Sequence, residues 1–146
     1  MRHLIWILAI LATACGGNGG GPSAPSPQIP NVVGSYTGSA TLTLPELQES
    51  VTCPASTSVT QSNSTVSVAP IILGGQCGNL SVPIGQASID NTGALIGSTT
   101  GTFNDPSCGT YNYGGSGGFF GREFRLSMSA TSATCYNFNF TMVLSR

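Results

Sequence analysis

The sequence predicts an all-β domain, an eight-stranded antiparallel up-and-down barrel, with a β-sandwich as the competing architecture. Three observations carry this. Apolar and hydroxyl-bearing residues alternate one by one through most of residues 31–146, the pattern of strands with one buried and one wet face. No stretch of that region repeats at the helical period over two turns, so no amphipathic helix is expected. In an up-and-down order of eight strands, Cys53, Cys77, Cys108 and Cys135 all fall at the rim remote from where the chain enters. Seven strands or a Greek-key order would scatter them.

The chain starts with Arg2 and His3, an apolar run Leu4–Ala12, and Leu11-Ala12-Thr13-Ala14 leading into Cys15. A basic start, a short apolar core and small residues before a cut site are the parts of a secretory signal peptide. At about nine residues the run is far short of the ~20 that cross a bilayer as a helix. With cysteine directly after the small residues, the segment resembles a bacterial lipoprotein signal; Ala12 stands three residues before the cysteine, where that pattern usually has Leu. The resemblance implies cleavage before Cys15, acylation of its sulfur and amino group, and attachment to a membrane through lipid. Gly16, in place of aspartate, implies the outer membrane or cell surface. Each buried CH₂ of an acyl chain adds ~0.8 kcal/mol, so two or three chains anchor firmly. Residues 1–14 are thus expected as signal. Residues 15–30 form the lipidated cysteine with a flexible, proline-stiffened tether, GGNGGGPSAPSPQIP, and residues 31–146 form one domain.

Gly34–Leu44 is the first strand, with Tyr36, Gly38, Ala40, Leu42 and Leu44 on the inner face. Val51, Cys53, Ala55 and Val59 line the second, and Ser62-Asn63 turns the chain. Val66 and Val68 resume the inward face up to about Ile72. Leu80, Val82 and Ile84 follow, and the phase then changes to Ala87 and Ile89, which a β-bulge at Gly85 explains. Asp90-Asn91-Thr92-Gly93 is a turn by residue type, and Ala94–Phe103 returns. After Asn104–Ser107 comes a short strand bearing Tyr111 and Tyr113, and Gly114–Gly118 is expected to turn the chain. Phe120, Phe124, Leu126, Met128 and Ala130 then share one face with Arg122, and Tyr136, Phe138, Phe140, Met142 and Leu144 line the last strand.

Charged residues make up 6% of the chain, against about 25% in ordinary globular proteins. Beyond the signal there is neither Lys nor His. Arg122, Arg125 and Arg146 face Glu46, Glu49, Asp90, Asp105 and Glu123. No basic patch is available to follow phosphates, which argues against nucleic-acid binding. Four cysteines in an exported small domain read as two disulfides, with three pairings open. The meander favours Cys53–Cys77 with Cys108–Cys135. Zinc is excluded by spacings near thirty residues and the lack of histidine.

Gly114-Gly115-Ser116-Gly117-Gly118 matches the nucleophile-elbow pattern G-x-S-x-G, but no histidine is present to act as base. Asp90 and Asp105 read as turn residues, and no carboxylate pair is singled out. No enzyme, cofactor or metal is expected. Arg122 is placed inside the barrel, closing its tethered end over an aromatic ring such as Tyr36 or meeting a carboxylate-headed ligand.

Beginning Val33-Gly34-Ser35-Tyr36-Thr37-Gly38, the domain resembles the small bacterial lipoproteins. Its Gly34-x-Tyr36 is similar to the Gly-x-Trp start of lipocalin-like barrels, with Tyr replacing Trp. The resemblance implies a lipid-anchored barrel closed by an aromatic–Arg contact. Two uses are expected. In one, Tyr36, Arg122, Phe124, Tyr136, Phe138 and Phe140 surround a small apolar ligand. In the other, the disulfide-tied rim loops Pro70–Asn79 and Asn104–Ser107 meet a protein partner.

Overall fold

The computed structural model describes residues 27–97 and 99–146; Cys15, the signal segment and most of the tether lie outside them. The strands are β1 (Gly34–Leu44), β2 (Glu49–Ser62), β3 (Thr65–Val68), β4 (Ile71–Leu73), β5 (Leu80–Val82), β6 (Gly85–Ile89), β7 (Leu95–Ile96), β8 (Thr99–Asp105), β9 (Gly109–Phe120), β10 (Glu123–Ser132) and β11 (Phe138–Ser145). A 3-10 turn, Gly75–Cys77, joins β4 to β5.

Nine strands follow one another around a nearly closed antiparallel barrel in the order β7-β6-β3-β2-β1-β11-β10-β9-β8, with β4 and β5 continuing the wall. The first strand pairs with the last, from Thr37↔Ser145 to Thr43↔Asn139. At the other seam, β7 pairs with β6 through Ser88↔Ile96 and Ile89↔Leu95. Just before it, Ala94 bridges Gly118 and the Phe119 amide donates to the Gly93 carbonyl at 2.8 Å. Above this seam the wall parts. Among the described strands β5 pairs only with β4, and β8 only with β9.

Prolines explain why the wall between β2 and β6 is broken into short pieces. The pairs Val68↔Gly85 and Ile71↔Val82 share one register, which sets Pro70 opposite Pro83. Neither has an amide hydrogen, so two adjacent strands lose their ladder at the same level. The inward set changes phase there, from Val66 and Val68 to Ile71 and Leu73 on one side, and from Val82 and Ile84 to Ile89 on the other. The slip expected at Gly85 is therefore shared by its neighbour. Against β2 the same site carries one extra residue, since Val59 faces Val68 but Ala55 faces Leu73. Thr57, buried on the inward face, donates its hydroxyl to the displaced Ala69 carbonyl at 2.7 Å. That satisfies a group the bulge would otherwise leave unpaired.

Gly114–Gly118 is not a turn. It lies within β9, whose partner β10 pairs with it from Arg125↔Gly118 to Ser129↔Gly114. A Cβ at Gly115 or Gly117 would collide with the main-chain oxygens of Ser127 or Arg125, so these glycines allow a close strand approach. The chain reverses instead at Gly121-Arg122, between Phe120↔Glu123, with Gly121 at φ 66°, a left-handed position that glycine fills without strain. A two-residue turn reverses the parity of the inward set. Hence Phe119, not Phe120, is buried, and Phe120 is 46% exposed.

Both expected disulfides are formed, Cys53–Cys77 and Cys108–Cys135. Cys77 lies in the β4–β5 connection, Cys108 between β8 and β9, and Cys135 just before β11. These connections are at the rim opposite the start of β1, and Cys53 reaches them from β2, where it faces Ala40.

Candidate functional site

The interior is occupied by two aromatic clusters built from different strands. Near the start of β1, Phe119 and Phe124 are register partners beside the β9–β10 turn, and their rings stack with centroids 4.4 Å apart. Tyr36 meets both edge-on, at 5.8 and 6.1 Å. All three are buried. The Tyr36 hydroxyl donates to the Val32 carbonyl at 2.8 Å, which supplies the partner a buried phenol needs. Towards the other rim, Phe103 stacks on Tyr111 at 5.0 Å, and Phe138 lies 5.3 Å from Tyr111. Phe140, Leu126, Met128 and Met142 are buried between the clusters. Burial raises the pKa of Tyr36, Tyr111 and Tyr113; the Asp105 carboxylate raises Tyr111 further, and Arg146 opposes the rise at Tyr36.

Four of the residues proposed from sequence to surround a ligand, Tyr36, Phe124, Phe138 and Phe140, are therefore core side chains packed against others. The other two are placed differently. Tyr136 precedes β11 in the Cys135 connection and is 52% exposed, because alternation begins only at Phe138. Its carbonyl accepts the Tyr111 hydroxyl at 3.2 Å. Arg122 is exposed in the β9–β10 turn, where strand alternation does not apply. Its guanidinium donates from Nε and Nη2 to the Arg146 carbonyl at 2.9 and 2.7 Å.

The cation over Tyr36 is Arg146, 6.0 Å from the ring centroid. Its Nη1 also donates to the carbonyls of Asn31 and Val33, at 3.2 and 2.8 Å. Gln61 completes this end of the barrel, accepting from the Val32 amide at 2.9 Å and donating to the Pro30 carbonyl at 3.0 Å. Residues 30–33 are thus strapped across the end of the barrel where β1 begins. Arg146 and Gln61 carried no motif; only the register of β1 with β11 reveals the first.

Most carboxylates have a structural partner. Asp90 accepts from the amides of Thr92 and Ala94 and from the Thr92 hydroxyl, and its pKa is lowered, first by the Thr92 side chain. Asp105 accepts from the amides of Ser107 and Cys108, each at 2.8 Å. Both are side chain-to-backbone turns. Glu123 pairs with Arg125 at 2.6 Å on the outer wall. Among the described residues no group of three His, Cys, Asp or Glu side chains could hold a metal ion.

At the disulfide rim, Glu46 accepts from the Asn137 side-chain amide at 2.8 Å, tying the β1–β2 connection to the Cys135 connection. Leu47 and Tyr136, the sequence neighbours of that pair, are 43% and 52% exposed. A hollow of about 500 Å³ lies instead at the end of the barrel where β1 begins, between Gln28, Ile29, Asn31, Val33, Gln61 and Asn63. Two more, about 290 and 360 Å³, lie along β1, β2 and β4 around Ile72. Phe119, Phe124 and Phe140 line none of the three. No protein-family model matches this chain, and neither a curated protein nor a solved structure does.

Proposed function

We propose that this chain is a non-catalytic cell-envelope protein, held to the outer membrane by lipid on Cys15, and that its domain is a surface interaction module. In this reading the barrel is of the eight-stranded lipocalin-like kind. The strands β3 with β4, β5 with β6, and β7 with β8 each count as one strand, interrupted at Pro70, Pro83 and Gly97.

Of the two uses the sequence leaves open, the packing supports the protein partner better than the apolar ligand. The observation that carries this is the filled interior. Tyr36, Phe119, Phe124 and Phe140 are at most 1% exposed, in a barrel size that holds either side chains or one small ligand. Recognition then falls to the outside, where the disulfide rim is covalently tied. Two covalent bridges and the Glu46–Asn137 contact hold Leu47 and Tyr136 in place. Pre-organised, partly apolar side chains of this kind anchor protein interfaces. Low net charge leaves little long-range steering, so association should depend weakly on salt.

The test is capture of envelope proteins on the full chain and on Leu47→Ser/Tyr136→Ser. A partner retained by the first and lost by the second supports the module. Equal retention by both, or release of a small apolar molecule in place of a protein, refutes it.

A further inference from the structure

Two strand edges of the barrel wall are unpaired among the described strands. Seven residues of β8 and three of β5 each have one edge unpaired among the described strands. β5 leads into β6 and β8 follows β7, so both edges lie beyond the paired β6–β7 seam. Such edges expose a row of amide and carbonyl groups and are usually blunted by lysine, proline or inward charge. β8, Thr99-Thr100-Gly101-Thr102-Phe103-Asn104-Asp105, has neither lysine nor proline, and its one charge stands at the rim end. At the other end, the Thr99 hydroxyl is buried with no hydrogen-bond partner among the described residues. A buried hydroxyl without a partner is costly.

We propose that the parting between β5 and β8 is a strand-addition site that takes an extended, uncharged segment of a partner protein. A second copy of the barrel suits it less well, because the β8 of that copy is already backed by β9 and offers one edge. A single extended chain offers donors and acceptors on both sides and can answer both lips. Its inward residues would be apolar, since Leu80, Leu95 and Phe103 are partly buried against the core there. Its outward residues would continue the hydroxyl-rich surface of Thr100, Thr102 and Asn104. This inference rests on the interaction-module reading and names the chemistry of its partner.

Amide hydrogen exchange of the full chain tests it, with acetyl-Thr-Val-Thr-Val-Thr-Val-amide as probe. Without peptide, alternate amides of β8 should exchange roughly tenfold or more faster than those of β9. Millimolar peptide should slow them, and those of β5, while the peptide N-methylated at alternate residues, which lacks one edge of donors, should lose the effect on one lip. β8 amides already as slow as β9 without peptide, or unchanged with it, overturn the proposal. So does β8 protection that rises with protein concentration alone, which would mean self-pairing. Leu47→Ser/Tyr136→Ser should still bind the probe. If that variant loses its captured partner yet keeps the peptide effect, the two claims stand separately; loss of the partner from the variant with no peptide effect on either chain defeats strand addition and leaves the rim reading intact.

Discussion

Replacing Phe124 by alanine measures how completely the barrel is filled. Phe124 is fully buried, stacked on Phe119 at 4.4 Å and met edge-on by Tyr36 at 6.1 Å. Burying a phenylalanine is worth ~1.5–3 kcal/mol, and each aromatic contact adds ~0.5–1.5 kcal/mol. The neighbours cannot close the gap, because Tyr36, Phe119 and Phe124 project from three strands fixed by their ladders. A cavity term therefore adds to the loss, and ~3–5 kcal/mol is expected in all. That is a large share of a domain's ~5–15 kcal/mol. Urea unfolding of Phe124→Ala and Phe120→Ala, followed by far-ultraviolet circular dichroism, supplies the comparison. Phe120, exposed on the outer wall beside Arg125, should cost under about 1 kcal/mol. The cavity left by Phe124→Ala should also take up benzene, as dry apolar cavities do. A loss below about 1 kcal/mol at Phe124, or equal losses at both positions, would refute a packed interior.

Further outcomes follow from the same structure. Removing either disulfide as a Cys→Ala pair should cost ~3–4 kcal/mol by the chain-entropy model, since the bridges span separations of 24 and 27 residues; denaturant midpoints report this. Gly117→Ala places a methyl group against the Arg125 main chain and should destabilise by ~1–3 kcal/mol, read as a lower melting temperature. Arg146→Ala should lower the melting temperature more than Arg122→Ala, because Arg146 both covers Tyr36 and holds Asn31 and Val33. For pH, Tyr36, Tyr111 and Tyr113 have folded pKa values above their ordinary 10.0. Their contribution is complete below that value and is lost as pH rises through the folded values. Asp90, lowered from 3.8, contributes above that value and loses its contribution as pH falls through its folded value. Unfolding free energy should therefore be flat between about pH 5 and 9 and fall on both sides.

Strand alternation made most of the wall legible. Gly34–Leu44 could be bounded to the residue, and the position of each cysteine along the meander favoured, among three open pairings, the one that is formed. Failures cluster where alternation stops. Gly114–Gly118 has a turn's composition, yet its glycines serve the close approach of β10, a tertiary demand that local residue types do not announce. The true reversal, Gly121-Arg122, is only two residues long, and missing it turned Phe119 and Phe120 over. The same error drew Arg122 inside. Pro70 and Pro83 are each visible in the sequence, but their alignment across two strands is a fact of register. At the candidate site, the aromatic residues could be named, although whether they filled or lined the barrel depended on packing. The parting beside β8 could not be foreseen, since it comes from how the strand from Ala94 onward changes neighbours.

Native mass spectrometry of the protein isolated from its own cells tests the central claim most directly. A filled barrel should give the same mass folded as unfolded, two disulfides included, with no additional small molecule retained after gentle removal of detergent. A stoichiometric apolar adduct, released only when the barrel unfolds, would contradict it and return the domain to the role of carrier.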